Sequence, residues 1–171
     1  MIEVSLRDAT AADVEALAHA VVEGVADYPS FAPATWTPPM AAEEAEHLHA
    51  LLADDRVRCL LAEAERSRII GQVTVLPAAI AVRPVEEPAL AHLRNLFVDR
   101  EFWGAGVGRL LTAAAVTDAR EGGFTTMRLF VAAGQSRARR FYEREGWSPV
   151  GEPFLDPGPG LDLVEYRIAT D

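Results

Sequence analysis

The sequence predicts a mixed α/β domain in which helices cross between strands. Segments with apolar residues at every second position alternate with segments whose apolar residues recur at helical spacing, in the order β-α-α-β-β-β-α-β-α-β-β. The second half reads strand, helix, strand, helix, and a helical crossover of that kind predicts parallel pairing between the strands it joins. The 171 residues hold no internal repeat and no linker long enough to divide them, so one domain over 1–171 is expected.

Ile2, Val4 and Leu6 alternate with Glu3, Ser5 and Arg7, which reads as a half-buried strand over 2–7. Thr10 stands three residues before Asp13, a capping-box-like start with Asp in place of Glu. Val14, Leu17, Ala18, Val21, Val22 and Val25 then follow at helical spacing, and Pro29 and Pro33 end that helix near Asp27. Residues 28–40 carry Pro29, Pro33, Pro38 and Pro39 with Phe31 and Trp36, an ordered loop or a broken helix. Residues 41–54 are helical, with Ala45, Leu48, Leu51 and Leu52 on one side. Two strands, 57–64 and 69–76, flank the polar turn Glu65-Arg66-Ser67-Arg68. Pro77, Pro84 and Pro88 mark an extended connection to a strand over 90–98. An alanine-rich helix over 106–121 ends at Gly122-Gly123. In the strand over 126–132, Met127, Leu129 and Val131 alternate with Arg128 and Phe130. A helix over 136–145 stops at Gly146, a residue suited to the left-handed cap. Strands near 147–154 and 161–169 are joined by Asp156-Pro157-Gly158-Pro159-Gly160.

Half of the residues are hydrophobic and a quarter charged, which excludes a disordered tail. The formal net charge of −10 argues against a nucleic-acid-binding surface, which needs a basic face, but leaves room for a local basic pocket. The single cysteine, Cys59, permits no intrachain disulfide and sits in an apolar strand as a small core residue. His19, His47 and His49 do not form a metal motif, so no metal site is expected. The N-terminal residues MIEVSLRDAT lack a signal-peptide pattern, and no apolar stretch approaches the ~20 residues that span a bilayer. A soluble, cytoplasmic protein with no membrane partner is expected.

Chemistry concentrates between the 90–98 strand and the following helix. Trp103-Gly104-Ala105-Gly106-Val107-Gly108-Arg109 places three alternating glycines at a helix entrance. Unpaired N–H groups and the helix dipole favour a phosphate there; the other reading is a plain tight turn. No Lys-Ser/Thr follows the glycines, which excludes a Walker A loop, and no dinucleotide fingerprint is present.

Leu96-Phe97-Val98 followed by residues 103–109 resembles the acetyl-CoA motif of the GNAT superfamily of N-acyltransferases. The family pattern Q/R-x-x-G-x-G/A falls on Trp103 through Gly108, with Trp103 in place of Gln or Arg. A second family motif, N-x-x-A-x-x-φ-Y-x-x-x-G-F, is similar to Gln135, Ala138, Phe141, Tyr142, Gly146 and Trp147, with Gln135 in place of Asn. The resemblance implies a GNAT-like fold: a central, mixed, mostly antiparallel sheet of about seven strands flanked by about four helices. It implies acetyl-CoA as co-substrate and direct transfer of its acetyl group to a primary amine, with a small molecule as acceptor. A protein or peptide amine, or a CoA-binding module without turnover, are the alternatives. Homodimers are common among proteins of this kind.

Residue by residue, the resemblance assigns the cofactor phosphates to the N–H groups of Gly104, Ala105, Gly106, Val107, Gly108 and Arg109, with Arg137 nearby. Arg139 and Arg140 join Arg109 and Arg137 in a basic cluster whose other reading is an exposed helix face. Leu96, Phe97 and Val98 are assigned to pairing with pantetheine and polarising the thioester, and Gln135 and Ala138 to the pantetheine arm. Tyr142 matches the residue that protonates the leaving thiolate, or is a packed aromatic. His92 is the candidate base, or a packed histidine. Strand periodicity places it on the same face as Leu96, at the offset where some family members carry theirs. Glu63, Glu65 and Asp99 are rivals, and Phe31, Trp36, Trp103 and the 153–160 loop are candidates for the border of an acceptor pocket.

Overall fold

A computed structural model describes residues 3–171. In chain order the elements are β1 (Ser5–Asp8), α1 (Val14–Gly24), α2 (Ala41–Leu52), β2 (Arg58–Ala64), β3 (Arg68–Pro77), β4 (Leu90–Val98), α3 (Val107–Glu121), β5 (Thr126–Ala132), α4 (Ser136–Arg144), β6 (Ser148–Asp156) and β7 (Leu161–Ala169). They agree with the sequence-derived order to within a few residues. The first strand differs most: it begins at Ser5, and Ile2 lies outside the described residues. Val4 and Leu6 still point into the core, as their alternation requires.

The seven strands form one sheet in the order β1-β2-β3-β4-β5-β7-β6. Every pairing is antiparallel except β4 with β5, where α3 makes the crossover. The start of α1 is set by a knot of charge. The Asp13 carboxylate accepts from the Thr10 N–H at 2.7 Å and from both Arg7 η-nitrogens at 2.8 and 2.9 Å. The Arg7 guanidinium holds this carboxyl well below the usual carboxylate range.

Helices α3 and α4 cover one face of the sheet. Val107, Leu111, Ala115 and Ala119 of α3, with Tyr142 and Trp147, pack on Val73, Val75, Leu93, Met127 and Leu129. Helices α1 and α2 cover the other face with Val14, Leu17, Ala18, Ala45 and Leu48 over Cys59 and Leu61. The two faces are unlike. The α3 side is mostly apolar, with Thr112 and the Trp147 indole among its buried polar groups, whereas the α1 side buries Gln72, Thr74, His92 and Arg128.

Leu111 is fully buried at the centre of the α3 interface. Leu111→Ala is expected to lower unfolding free energy by about 2–5 kcal/mol through lost burial and a residual cavity. Urea denaturation at constant m-value checks this.

Candidate active site

Strand β4 leaves its parallel partner early. It pairs with β5 only through Leu90↔Thr126, Ala91↔Met127 and His92↔Arg128, while β5 continues along β7 as far as Ala132. The cause lies at Asn95, a non-glycine residue with φ of 55°. There the β3–β4 register slips between Gln72 and Thr74, a bulge that bends β4 away.

The bulge also corrects the sequence reading of His92. Alternation places His92 and Leu96 on one face, but the extra residue inverts the pattern. His92 pairs with Leu76 and lies against the Phe130 ring on the α1 side, whereas Leu96 packs into the core under α3. Phe97 returns to the α1 side, its ring pressed against Gly24 where no Cβ fits. The β5-facing side of β4 carries no ladder beyond His92, so the backbone of Leu96, Phe97 and Val98 has no strand partner on that side among the described residues.

Directly after β4 lies the glycine loop. Gly104 and Gly106 have φ of 83° and 86°, and Gly106 caps α3 from the left-handed region. Among the described residues, the N–H groups of Gly104, Gly106, Val107, Gly108 and Arg109 have no protein acceptor, whereas the Ala105 N–H donates to the Phe102 carbonyl. The bare donors converge on a helix N-terminus. Trp103 supports the loop rather than contacting it from outside. Its Nε1 donates to the Val98 carbonyl at 2.8 Å, and the Arg137 guanidinium stacks 3.2 Å from its ring centre.

The four arginines around the loop divide. Arg137 stays beside the loop on the Trp103 ring, and Arg140 is exposed. Arg109 lies 3.7 Å from Glu145. Arg139 turns inward, donating to the Tyr166 hydroxyl and the Ala133 carbonyl, so it is not part of a surface anion cluster. Gln135 donates to Asp27 at 3.4 Å. Tyr142 is almost wholly buried beside Trp147, and its hydroxyl makes no hydrogen bond to the described residues. Burial, with Tyr28 adding to it, pushes this phenol well above its ordinary range, so it stays protonated at neutral pH.

The α1 side of the parting forms the second half of the site. His92 is 2% exposed, and its Nδ1 has no partner. Burial, with Arg128 and Arg94 beside it, lowers its pKa to about 3, so the imidazole is neutral at pH 7. Gln72 Oε1, Thr74 Oγ1 and Arg128 Nε are also buried without partners on this face. An open cavity of about 590 Å³ adjoins it, lined by Arg83, Arg128, Phe130, Phe154, Glu165 and Arg167 among others. Of the expected border, only the 153–160 stretch reaches this cavity, through Phe154. Phe31 and Trp36 instead cluster with Tyr28, and Phe31 packs on Gly134. The rival bases are occupied elsewhere: Glu63 holds Arg7, Asp99 holds Arg68, and Glu65 sits in the exposed β2–β3 turn.

Arg83, Arg94 and Arg128 were not legible as site residues. Arg128 alternates with apolar neighbours exactly as a solvent-facing residue does, and nothing in its local sequence signals that its face is covered.

The buried neutral imidazole makes a prediction. The unfolded chain gains a proton on His92 as pH falls below about 6.5, and the folded chain refuses it until about 3. Stability therefore falls across that window, by at most about 1.4 kcal/mol per pH unit from this group. Asp13, held low by Arg7, adds its own loss only below the ordinary carboxylate range near ~4. Denaturation midpoints at about pH 7 and about pH 5 should differ in the wild type and converge in His92→Phe; an unchanged difference assigns the loss to other groups.

The model of the acetyltransferase (GNAT) family matches residues 22–147. No curated protein sequence matches significantly. Among solved structures, a GNAT-family acetyltransferase from Staphylococcus aureus Mu50 superposes with a TM-score of 0.76 at 14% identity, covering 99% of this chain and 100% of that one. A spermidine N-acetyltransferase variant from Vibrio cholerae gives 0.69 at 19% identity, covering 98% and 94%. A ribosomal-protein-alanine N-acetyltransferase from Brucella melitensis gives 0.72 at 23%, covering 96% and 99%. At such identities these structures speak for the fold alone. The family match is independent of them and spans the parted strand, the glycine loop and Tyr142; the chain belongs to the GNAT family of acetyltransferases.

Proposed function

We propose that the protein transfers an acetyl group from acetyl-CoA to a primary amine on a small molecule. The observation that carries this is the row of unpaired N–H groups at Gly104 and Gly106–Arg109, set at the head of α3 beside the point where β4 leaves β5. Five backbone donors and a helix dipole suit a pyrophosphate, and the open side of β4 suits an extended amide-bearing arm such as pantetheine. The open cavity on the far side of the parting is of a size that admits a small-molecule amine.

Bound acetyl-CoA supplies the activated acetyl thioester. Gly104 and Gly106–Arg109 hold its phosphates, with Arg137, kept in place by Trp103, adding positive charge beside them. A β4 N–H from Leu96–Val98 polarises the thioester carbonyl. Tyr142, protonated at neutral pH, passes its phenolic proton to the departing sulfur and regains one from water, burial disfavouring any lasting phenolate. His92 has a different part from the one its sequence position suggests. A group with a pKa near 3 is too weak a base to retain an amine's proton; the neutral imidazole instead packs behind Phe130 and supports the floor of the cavity. The proton then passes to water through the open cavity.

Thermal unfolding with excess acetyl-CoA tests the reading, with NADH and ATP as controls. Acetyl-CoA at ~100 times its dissociation constant should add about 2.7 kcal/mol of stability, and the controls little; no selective rise would sink the reading. Tyr142→Phe should retain this stabilisation while turnover, followed by thiol release, falls by about 10²-fold or more. An unchanged turnover would remove Tyr142 from the chemistry.

A further inference from the structure

We propose that the acceptor amine also carries a carboxylate, and that Arg83 and Arg128 bind it. This rests on the acyl-transfer reading and names the substrate class of the same site.

The chain is acidic overall, yet the cavity beside His92 gathers three arginines, Arg83, Arg128 and Arg167, against two glutamates, Glu152 and Glu165. Their charges are not equally engaged. Arg167 is paired with Glu165 at 2.6 Å and reaches Glu87 at 3.4 Å. Arg83 and Arg128 have no carboxylate partner among the described residues. Arg128 is only 2% exposed; one of its η-nitrogens donates to the Val82 and Arg83 carbonyls at 3.1 and 2.7 Å, and its Nε is buried with no partner. A guanidinium so placed is costly unless an anion completes it.

Arg128 also fixes Arg83. The Arg83 backbone has φ of 51°, an unfavourable value for a side-chain-bearing residue, and its carbonyl is held there by the Arg128 hydrogen bond. The strained turn sets the Arg83 guanidinium 3.7 Å over the Phe154 ring, at the cavity wall. Two cations thus flank a cavity floored by Phe130, whose ring lies 5.1 Å from that of His92. A carboxylate between Arg83 and Arg128 leaves the ligand's amine on the His92 side, toward the parting, and its side chain against the two phenylalanines. A polycation such as spermidine would instead set its charge against both arginines.

Two measurements test this. The first is thiol release from acetyl-CoA with amino acids and their decarboxylated counterparts, phenylalanine beside phenethylamine and leucine beside isoamylamine, with spermidine alongside. The carboxylate-bearing member should win in kcat/KM by about tenfold or more, the range expected for a hydrogen bond to a charged group. Arg83→Gln should erase most of that advantage through KM, and Arg83→Lys should restore part of it. The second is calorimetric titration of 3-phenylpropionate and of phenethylamine into the protein without acetyl-CoA. The acid should bind, about tenfold more weakly in Arg83→Gln, and the amine should not. Equal use of both members of each pair, preference for spermidine, or failure of the acid to bind overturns the proposal and leaves acetyl transfer standing. Failure of acetyl-CoA to bind or react would overturn acetyl transfer, and the titration would still report on the anion pocket.

Discussion

The early parting of β4 from β5 is the constraint on which the site depends. Two parallel strands stay about 4.8 Å apart only while both can satisfy one ladder. Here β5 is committed along its whole length to β7, and β4 is committed to β3. The extra residue at Asn95 bends β4, and β5 cannot follow without giving up its other partner. The gap therefore opens inside the sheet, where strand backbone is normally consumed by neighbours. The glycine loop and the head of α3 lie at its mouth because they are the next residues after β4.

The sheet then divides two kinds of work between its faces. Under α3 and α4 the contacts are mostly apolar, with Leu111, Met127, Leu129 and Trp147 all nearly inaccessible and the Trp147 Nε1 an unmatched polar atom there among the described residues. Under α1 and beside the cavity, Gln72, Thr74, His92 and Arg128 are buried with at least one polar atom unmatched. Each such atom costs on the order of 1–3 kcal/mol, and local rules are broken in this way where a site needs its groups desolvated. The low pKa of His92 has the same origin: two arginines and a dry surrounding favour its neutral form.

Trp103 shows how a departure from a family pattern is absorbed. In the proposed reading the phosphates meet backbone N–H groups, and an indole that bonds the Val98 carbonyl and stacks on Arg137 braces the loop without Gln or Arg at that position. Gln135, the other departure, contacts Asp27, tying the start of α4 to the turn that follows α1.

By itself the sequence determined the elements, their order, the parallel crossover at α3, and the glycine loop with its following tyrosine. These depend on interactions within a few residues: hydrophobic period, proline breaks, left-handed glycines and helix entrances. The tertiary structure decided which face each side chain meets. One bulge at Asn95 reversed the relation of His92 to Leu96, and the covering of one sheet face turned Arg128 from an apparent surface residue into a buried cation. Arg139 and Gln135 likewise found partners far away in the chain. Side-chain alternation carries information only up to the next irregularity in register, and that irregularity is set by which strands compete for each edge, a property of the assembled sheet that no local stretch of residues contains.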